Sequence, residues 1–149
     1  MAVRRSFAIE DKNINSTSTI VASKPENYSD IDLTLDTKPS GDIFKKTDAA
    51  AVKQSIRTIL LTNYGEKPFD FFFGANLNSY LFELNDPSYT KEIQKDVKLA
   101  IQNYEPRAEV LDVQVNNNID ANDLKITVQF RIISTEEVVV LTTSLTRIK

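Results

Sequence analysis

Residues 104–115 read YEPRAEVLDVQV, and the fold turns on this stretch because an amphipathic helix stops in it and a period-two strand starts. Upstream, DPSYTKEIQKDVKLAIQNYEP (86–106) places Tyr89, Ile93, Val97, Ile101 and Tyr104 three or four residues apart, the spacing of one helical face. Asp86 suits the N-cap and Pro87 the first helical position, while Pro106 forbids continuation by pushing its predecessor toward extended geometry. Lys91, Lys95 and Lys98 alternate with Glu92 and Asp96 on the outer face. Downstream, Leu111, Val113 and Val115 oppose Asp112 and Gln114, which predicts a strand with those three apolar residues inward.

The strand pattern continues to the end of the chain. LKITVQFRI (124–132) alternates without an error, NNNIDAND (116–123) reads as the hairpin loop before it, and EEVVVLTTSLTRI (136–148) is β-branched enough to be a strand whose facing stays open. The short polar STEE (134–137) predicts a second antiparallel hairpin. Toward the N-terminus, TDAAAVKQSIRTILLTNYG (47–65) predicts a helix over 48–63, with Thr47 as N-cap, Asp48 in the first turn and Gly65 as the left-handed residue that ends it. Lys53 and Arg57 read as a solvated face. DIDLTLD (30–36) alternates Ile31, Leu33 and Leu35 against polar residues, a half-buried strand closed by the Pro39–Gly41 turn. The whole is an α+β fold, two main helices packed on one face of a small, mainly antiparallel sheet. Residues 1–27, rich in Ser, Thr and Asn without periodicity, are expected to be a flexible arm, and 28–149 a single domain.

Composition narrows the chemistry. At 149 residues the chain has the length of one domain, which buries roughly two thirds of its unfolded surface. It contains no Cys and no His, which removes disulfides, thiol nucleophiles, histidine-based triads and most zinc sites. The net charge is -3, from 18 basic and 21 acidic residues, without a basic stripe, so no nucleic-acid partner is expected. No apolar run reaches membrane-spanning length and the first residues carry no secretory pattern, so neither a membrane nor a secretory route is expected.

Three readings of Glu105–Pro106–Arg107 stand side by side. Arg107 can fork across helix carbonyls or a carboxylate and clasp helix to strand. It can face a partner, alone or together with clasping. As half of a glycosidase pair, Glu105 is poorly placed, because an adjacent guanidinium lowers a carboxyl pKa where a general acid needs it raised. Glu83 is the other loop carboxylate to consider. The aromatic run Phe69, Phe71, Phe72 and Phe73, between Pro68 and Gly74, predicts rings divided between core and interface; Lys67 alone does not supply the charge of a base-stacking platform.

These motifs together resemble the baseplate-wedge and sheath-initiator family of contractile-tailed bacteriophages, which extends more distantly to the type VI secretion baseplate. The resemblance rests on YSDIDLTL, GDI, SIRTILLTNYGEKPF, FGANLNSYLFEL and YEPRAEVLDVQV in this order, over about residues 28–134. Glu105, Pro106 and Arg107 match the family's signature, and Gly65, Glu66, Gly74, Leu77, Leu81, Phe82 and Glu83 its glycine turns and leucine-phenylalanine-glutamate segment. Lys67 stands where the family often has arginine, and Phe71–Phe73 where a proline precedes the second glycine. The resemblance implies a structural wedge protein near the tail tube from which the sheath polymerises, contacting other wedge proteins and sheath or tube-proximal proteins. It further implies a place in the virion tail baseplate after assembly in the host cytoplasm, and no cofactor or metal. No enzymatic activity is expected on this reading; the alternative is a carboxylate-based, lysozyme-like glycoside hydrolase carried on a tail structure.

Overall fold

The computed structural model describes residues 28–81, 87–118 and 123–146. The expected arm, residues 1–27, lies outside the described residues, as do Phe82, Glu83 and Asp86. In chain order the elements are β1 (Ser29–Ile31), β2 (Lys45–Thr47), α1 (Asp48–Leu61), α2 (Leu77–Tyr80), α3 (Pro87–Tyr104), β3 (Ala108–Asn118), β4 (Asp123–Ile132) and β5 (Val138–Thr146). β1 and β2 form a small antiparallel pair, and β3, β4 and β5 an antiparallel sheet in that order. The fold is therefore α+β, with both hairpins where the polar connections predicted them.

β4 carries the alternation of its sequence directly into burial: Leu124, Ile126, Val128, Phe130 and Ile132 are buried while Lys125, Gln129 and Arg131 are exposed. β5, whose facing was open, turns Leu141 and Thr143 to the same buried face. Into this core α1 sends Val52, Ile56, Ile59 and Leu60, and α3 sends Ile93, Val97, Ala100 and Ile101. α3 packs chiefly on β3, and α1 touches both α3 and β5.

Three local expectations fail and a fourth, the Thr47 cap, holds in position only, each for a physical reason. In β3, Val113 is buried as expected and Val115 is partly buried, but Leu111 is 47% exposed. A β-bulge between Val110 and Asp112 shifts the register, so that Ala108 and Val110 also point inward and Leu111 is thrown to the other face. The strand expected over 30–36 stops at Ile31, and Ile31, Leu33 and Leu35 are exposed. There the Asp32 carboxylate accepts the Thr34 N–H at 3.1 Å and the Asp32 carbonyl accepts the Leu35 N–H at 3.1 Å, so a local turn replaces the ladder.

Thr47 is the N-cap of α1, as expected, but its side chain makes no capping hydrogen bond. Instead the Asp48 N–H donates to the Tyr28 carbonyl at 2.8 Å, so the β1–β2 pairing supplies the acceptor that a cap would give. α1 ends at Leu61, before the predicted boundary, and Gly65 is not its C′ residue. The released Ile59 carbonyl is taken at 3.1 Å by the N–H of Ala75, a residue returning from the loop beyond.

The bulge makes a measurable distinction. Leu111→Ala should change stability by less than about 0.5 kcal/mol, as for an exposed surface position, whereas Val113→Ala should cost about 1–3 kcal/mol. Denaturant midpoints of the two variants check this, and equal losses would place Leu111 in the core.

Candidate functional site

The helix-to-strand joint is built around one buried carboxylate. Glu105 is 1% exposed although it sits at the end of α3, because its N–H still donates to the Ile101 carbonyl at 2.8 Å and its side chain is drawn inward. Burying a carboxylate is costly unless its oxygens are bonded. Pro106 turns the chain so that Arg107 reaches back: Nε donates to Oε1 at 2.5 Å and Nη2 to Oε2 at 2.6 Å, a two-pronged fork. Ser55, on α1, also helps to hold the Glu105 carboxyl pKa down. The Tyr28 ring lies 5.2 Å from the guanidinium carbon. The Arg107 carbonyl accepts the Ile133 N–H at 3.0 Å, tying the start of β3 to the end of β4.

Of the three readings, this geometry is that of the clasp, with the fork closing on Glu105 and not on helix carbonyls. Burial pushes the Glu105 carboxyl up; the bonds from Arg107 and Ser55 outweigh it and hold the group below the usual carboxylate range. The carboxylate in turn raises the Arg107 guanidinium. Glu105 is thus kept ionised, which is the wrong state for proton donation. Ser55 and Tyr28 complete the joint, and sequence reading missed both: Tyr28 stood only at the head of a strand motif, and nothing in a single helical Ser signals a bond to a residue so far along the chain.

The remaining motif residues gather at the other end of α1. Glu66 accepts the Asn63 N–H at 2.9 Å and the Asn63 side-chain amide at 2.7 Å, bonds that lower its carboxyl pKa. Gly65, at φ +82°, donates its N–H to the Phe71 carbonyl at 2.8 Å, and a Cβ here would meet the Phe71 ring at 3.1 Å. Gly74, at φ +106°, has no room at all: a Cβ would stand 2.2 Å from the Thr62 carbonyl oxygen. Leu77 is buried and Leu81 packs partly on the core.

The Phe rings divide between packing on the core and exposure to solvent. Phe73 meets Tyr104 edge-on with ring centroids 4.8 Å apart, linking the loop to the residue before Glu105. Phe69 is fully exposed, while Phe71 at 63% and Phe72 at 70% remain largely in solvent. Phe72 packs edge-on against both Phe71 and Tyr64. Lys67, where the family often has arginine, holds its ammonium 4.0 Å from the Phe73 ring centroid and pairs with Asp70 at 3.2 Å.

The sequence profile of baseplate wedge protein gp25 matches residues 46–137, a span that holds both the clasp and the aromatic loop. The chain belongs to this family. It is 32% identical over 106 residues to baseplate wedge protein gp25 of Enterobacteria phage T4, covering 71% of this chain and 80% of that protein. Among solved structures, a chain of the anti-feeding prophage baseplate superposes with a TM-score of 0.58 at 18% identity, over 78% of this chain and 83% of its own. A chain of the postcontracted pyocin R2 baseplate does so with a TM-score of 0.51 at 18% identity, over 80% and 99%. At that identity these two speak for the fold. Family membership bears out the expected structural role in a viral tail baseplate.

One expectation is corrected. A provisionally assigned tail lysozyme of Geobacter sulfurreducens superposes with a TM-score of 0.59 at 28% identity, over 66% of this chain and 89% of its own. The expectation that this chain is not an enzyme is overturned by that similarity. The carboxylate on which such chemistry would draw is not Glu105, which is locked in an ion pair. Asp96 is differently placed: it accepts the Tyr80 hydroxyl at 2.5 Å and lines a hollow of about 200 Å³ with Tyr64, Phe72 and Asn103.

Removing either half of the clasp should be expensive. Arg107→Ala leaves a buried carboxylate unpaired and should destabilise by about 3 kcal/mol, with Arg107→Lys recovering part of the loss because the charge remains but the fork does not. The Glu105 pKa is lower in the folded than in the unfolded chain, so its contribution is complete above the ordinary glutamate range, about 4.3, and is lost as pH falls through the folded value. The stability gap between wild type and Glu105→Gln, read from denaturant melts, should therefore be widest near neutrality and close in acid. A gap independent of pH would show that the charge is not what holds the joint. At the loop, Gly74→Ala should cost more than about 2 kcal/mol, since both φ and the Thr62 backbone oppose it, and Gly65→Ala about 1 kcal/mol, since a ring edge can shift.

Proposed function

We propose that the chain is a wedge subunit standing near the tail tube, where it helps to start sheath assembly, and that its exposed aromatic loop is the anchor for neighbouring wedge proteins. The observation that carries this is the rigid display of Phe69, Phe71 and Phe72 in solvent by a loop held through Gly65, Glu66 and Gly74. Exposed apolar rings on an ordered frame lose little freedom on docking, which is how a few residues come to dominate an interface. Glu105, Pro106 and Arg107 act mainly as the clasp that sets this frame, with Leu77 and Leu81 beneath it. On this reading α1 and α3 lie side by side on the buried face of the β3–β4–β5 sheet, residues 28–149 form the single domain, residues 1–27 an arm ordered by neighbours, and the protein is assembled in host cytoplasm before it enters the virion.

A Phe71→Ser, Phe72→Ser double variant should melt within about 0.5 kcal/mol of wild type yet lose most of its co-assembly with neighbouring wedge proteins in a pull-down. Assembly at the wild-type level would remove the loop from the interface.

The Geobacter similarity favours a second reading, glycoside hydrolysis by paired carboxylates. Asp96 and Glu92, one turn apart on α3, both raise the Tyr80 hydroxyl, after the larger effect of its burial. On this reading the purified chain clears a suspension of permeabilised cell walls, and Asp96→Asn abolishes the clearance. A flat trace for wild type would leave the assembly role alone.

A further inference from the structure

A groove of about 490 Å³ runs between the loop after β1, α1 and β5. Its apolar lining comes from Leu33, Leu61 and Leu141 and its basic lining from Lys46, Lys53 and Arg57; no carboxylate among the described residues lines it. Lys46 is neutralised by Asp32 at 2.8 Å. Lys53 and Arg57, one turn apart and both exposed, have no carboxylate partner among the described residues. Lys53 and Arg57 thus stand without an ion pair among the described residues beside an apolar floor, although Asp30 and Asp32 bond Gln54 and Lys46 in the same wall.

The wall of this groove is fixed. Gln54, 8% exposed, accepts the Leu33 N–H at 3.3 Å and the Lys46 ammonium at 2.8 Å, and donates to the Ile31 carbonyl at 2.8 Å. Leu33 is nevertheless 62% exposed and Leu61 41%. The alternation of residues 30–36, which predicted burial, is thus satisfied by no packing within the described chain, and the buried amide holds its leucine open to solvent.

We propose that this groove binds an acidic, leucine-bearing segment of a partner protein, its apolar side chains on Leu33, Leu61 and Leu141 and its carboxylates on Lys53 and Arg57. The surface is separate from the aromatic loop, and the occupant is taken from a neighbouring baseplate protein only in so far as the wedge role above holds. Charge complementarity selects the partner, because a basic segment would meet two unpaired cations and a neutral one would leave them unanswered.

The test uses the full-length chain and two labelled peptides, one alternating leucine with glutamate and one alternating leucine with lysine, titrated by fluorescence anisotropy. The glutamate peptide should bind and the lysine peptide should not, and added salt should weaken the binding. A Lys53→Glu, Arg57→Glu double variant, exposed and so expected to melt as wild type, should bind the glutamate peptide at least about tenfold more weakly. Lys53→Gln, Arg57→Gln should show an intermediate loss, and serves if the reversed pair does not fold. Equal binding of both peptides, or no effect of the substitutions, would overturn the proposal. If it fails while the double variant still co-assembles with wedge proteins, the wedge role stands; if peptide binding succeeds but wild type does not co-assemble, the wedge role fails and the groove remains.

Discussion

The joint between α3 and β3 is arranged around the need to keep one buried carboxylate satisfied. Glu105 is nearly inaccessible and charged, a combination that is stable only if its oxygens are bonded by groups that cannot drift away. Pro106 meets that condition by construction. It ends the helix, turns the chain and returns a guanidinium two residues later with its fork aligned on the acid. The partners that complete the site come from three other places: Ser55 from α1, Tyr28 from the residue before β1, and Ile133 after β4. A displacement of any of these elements would strain or unsatisfy the acid, so the pair fixes the relation of helix, hairpin and sheet more sharply than apolar packing alone can.

That constraint passes to the aromatic loop through one ring contact. Tyr104 precedes Glu105, and Phe73 packs on Tyr104, so the loop is referenced to the clasp. Above Phe73 lies Lys67, below it Gly74 presses against the Thr62 backbone, and Ala75 caps the end of α1. The loop lacks regular structure but not order. Phe71 and Phe72 are exposed because their neighbours on both sides are committed to other bonds.

The sequence made the long elements legible and the short ones less so. β4 and α3 were readable because many residues repeat one period, and burial follows the pattern residue by residue. At Leu111 the same logic reversed, since a single bulge exchanges faces and leaves no compositional trace in EVLDVQ. Thr47 and Gly65 looked like caps, but their roles were taken by backbone groups of Tyr28 and Ala75, distant in sequence and invisible to local rules. In the site, the Glu105–Arg107 pair was inferable from proximity and planar donors, whereas Ser55 and Tyr28 join it only through tertiary structure. Which ring of the Phe run turns inward depends on Tyr104 and could not be read from the run itself.

The failed alternation at residues 30–36 carries the most functional meaning. Leu33 and Leu35 are exposed, on a turn whose backbone is fixed by Gln54, which accepts the Leu33 N–H, and by Asp32, which accepts the Thr34 N–H. Holding an apolar group in solvent forgoes its transfer free energy, about 1.5–3 kcal/mol for a leucine, until a partner covers it. The Phe loop does the same on another face. A rigid subunit with several such uncovered sites gains little from any one contact but much from engaging them together, because each docking event raises the effective concentration of the next. On the proposed wedge role, incomplete burial at separate, ordered surfaces is the physical form that assembly competence would take in a domain of this size, with the buried Glu105–Arg107 pair holding those surfaces in register.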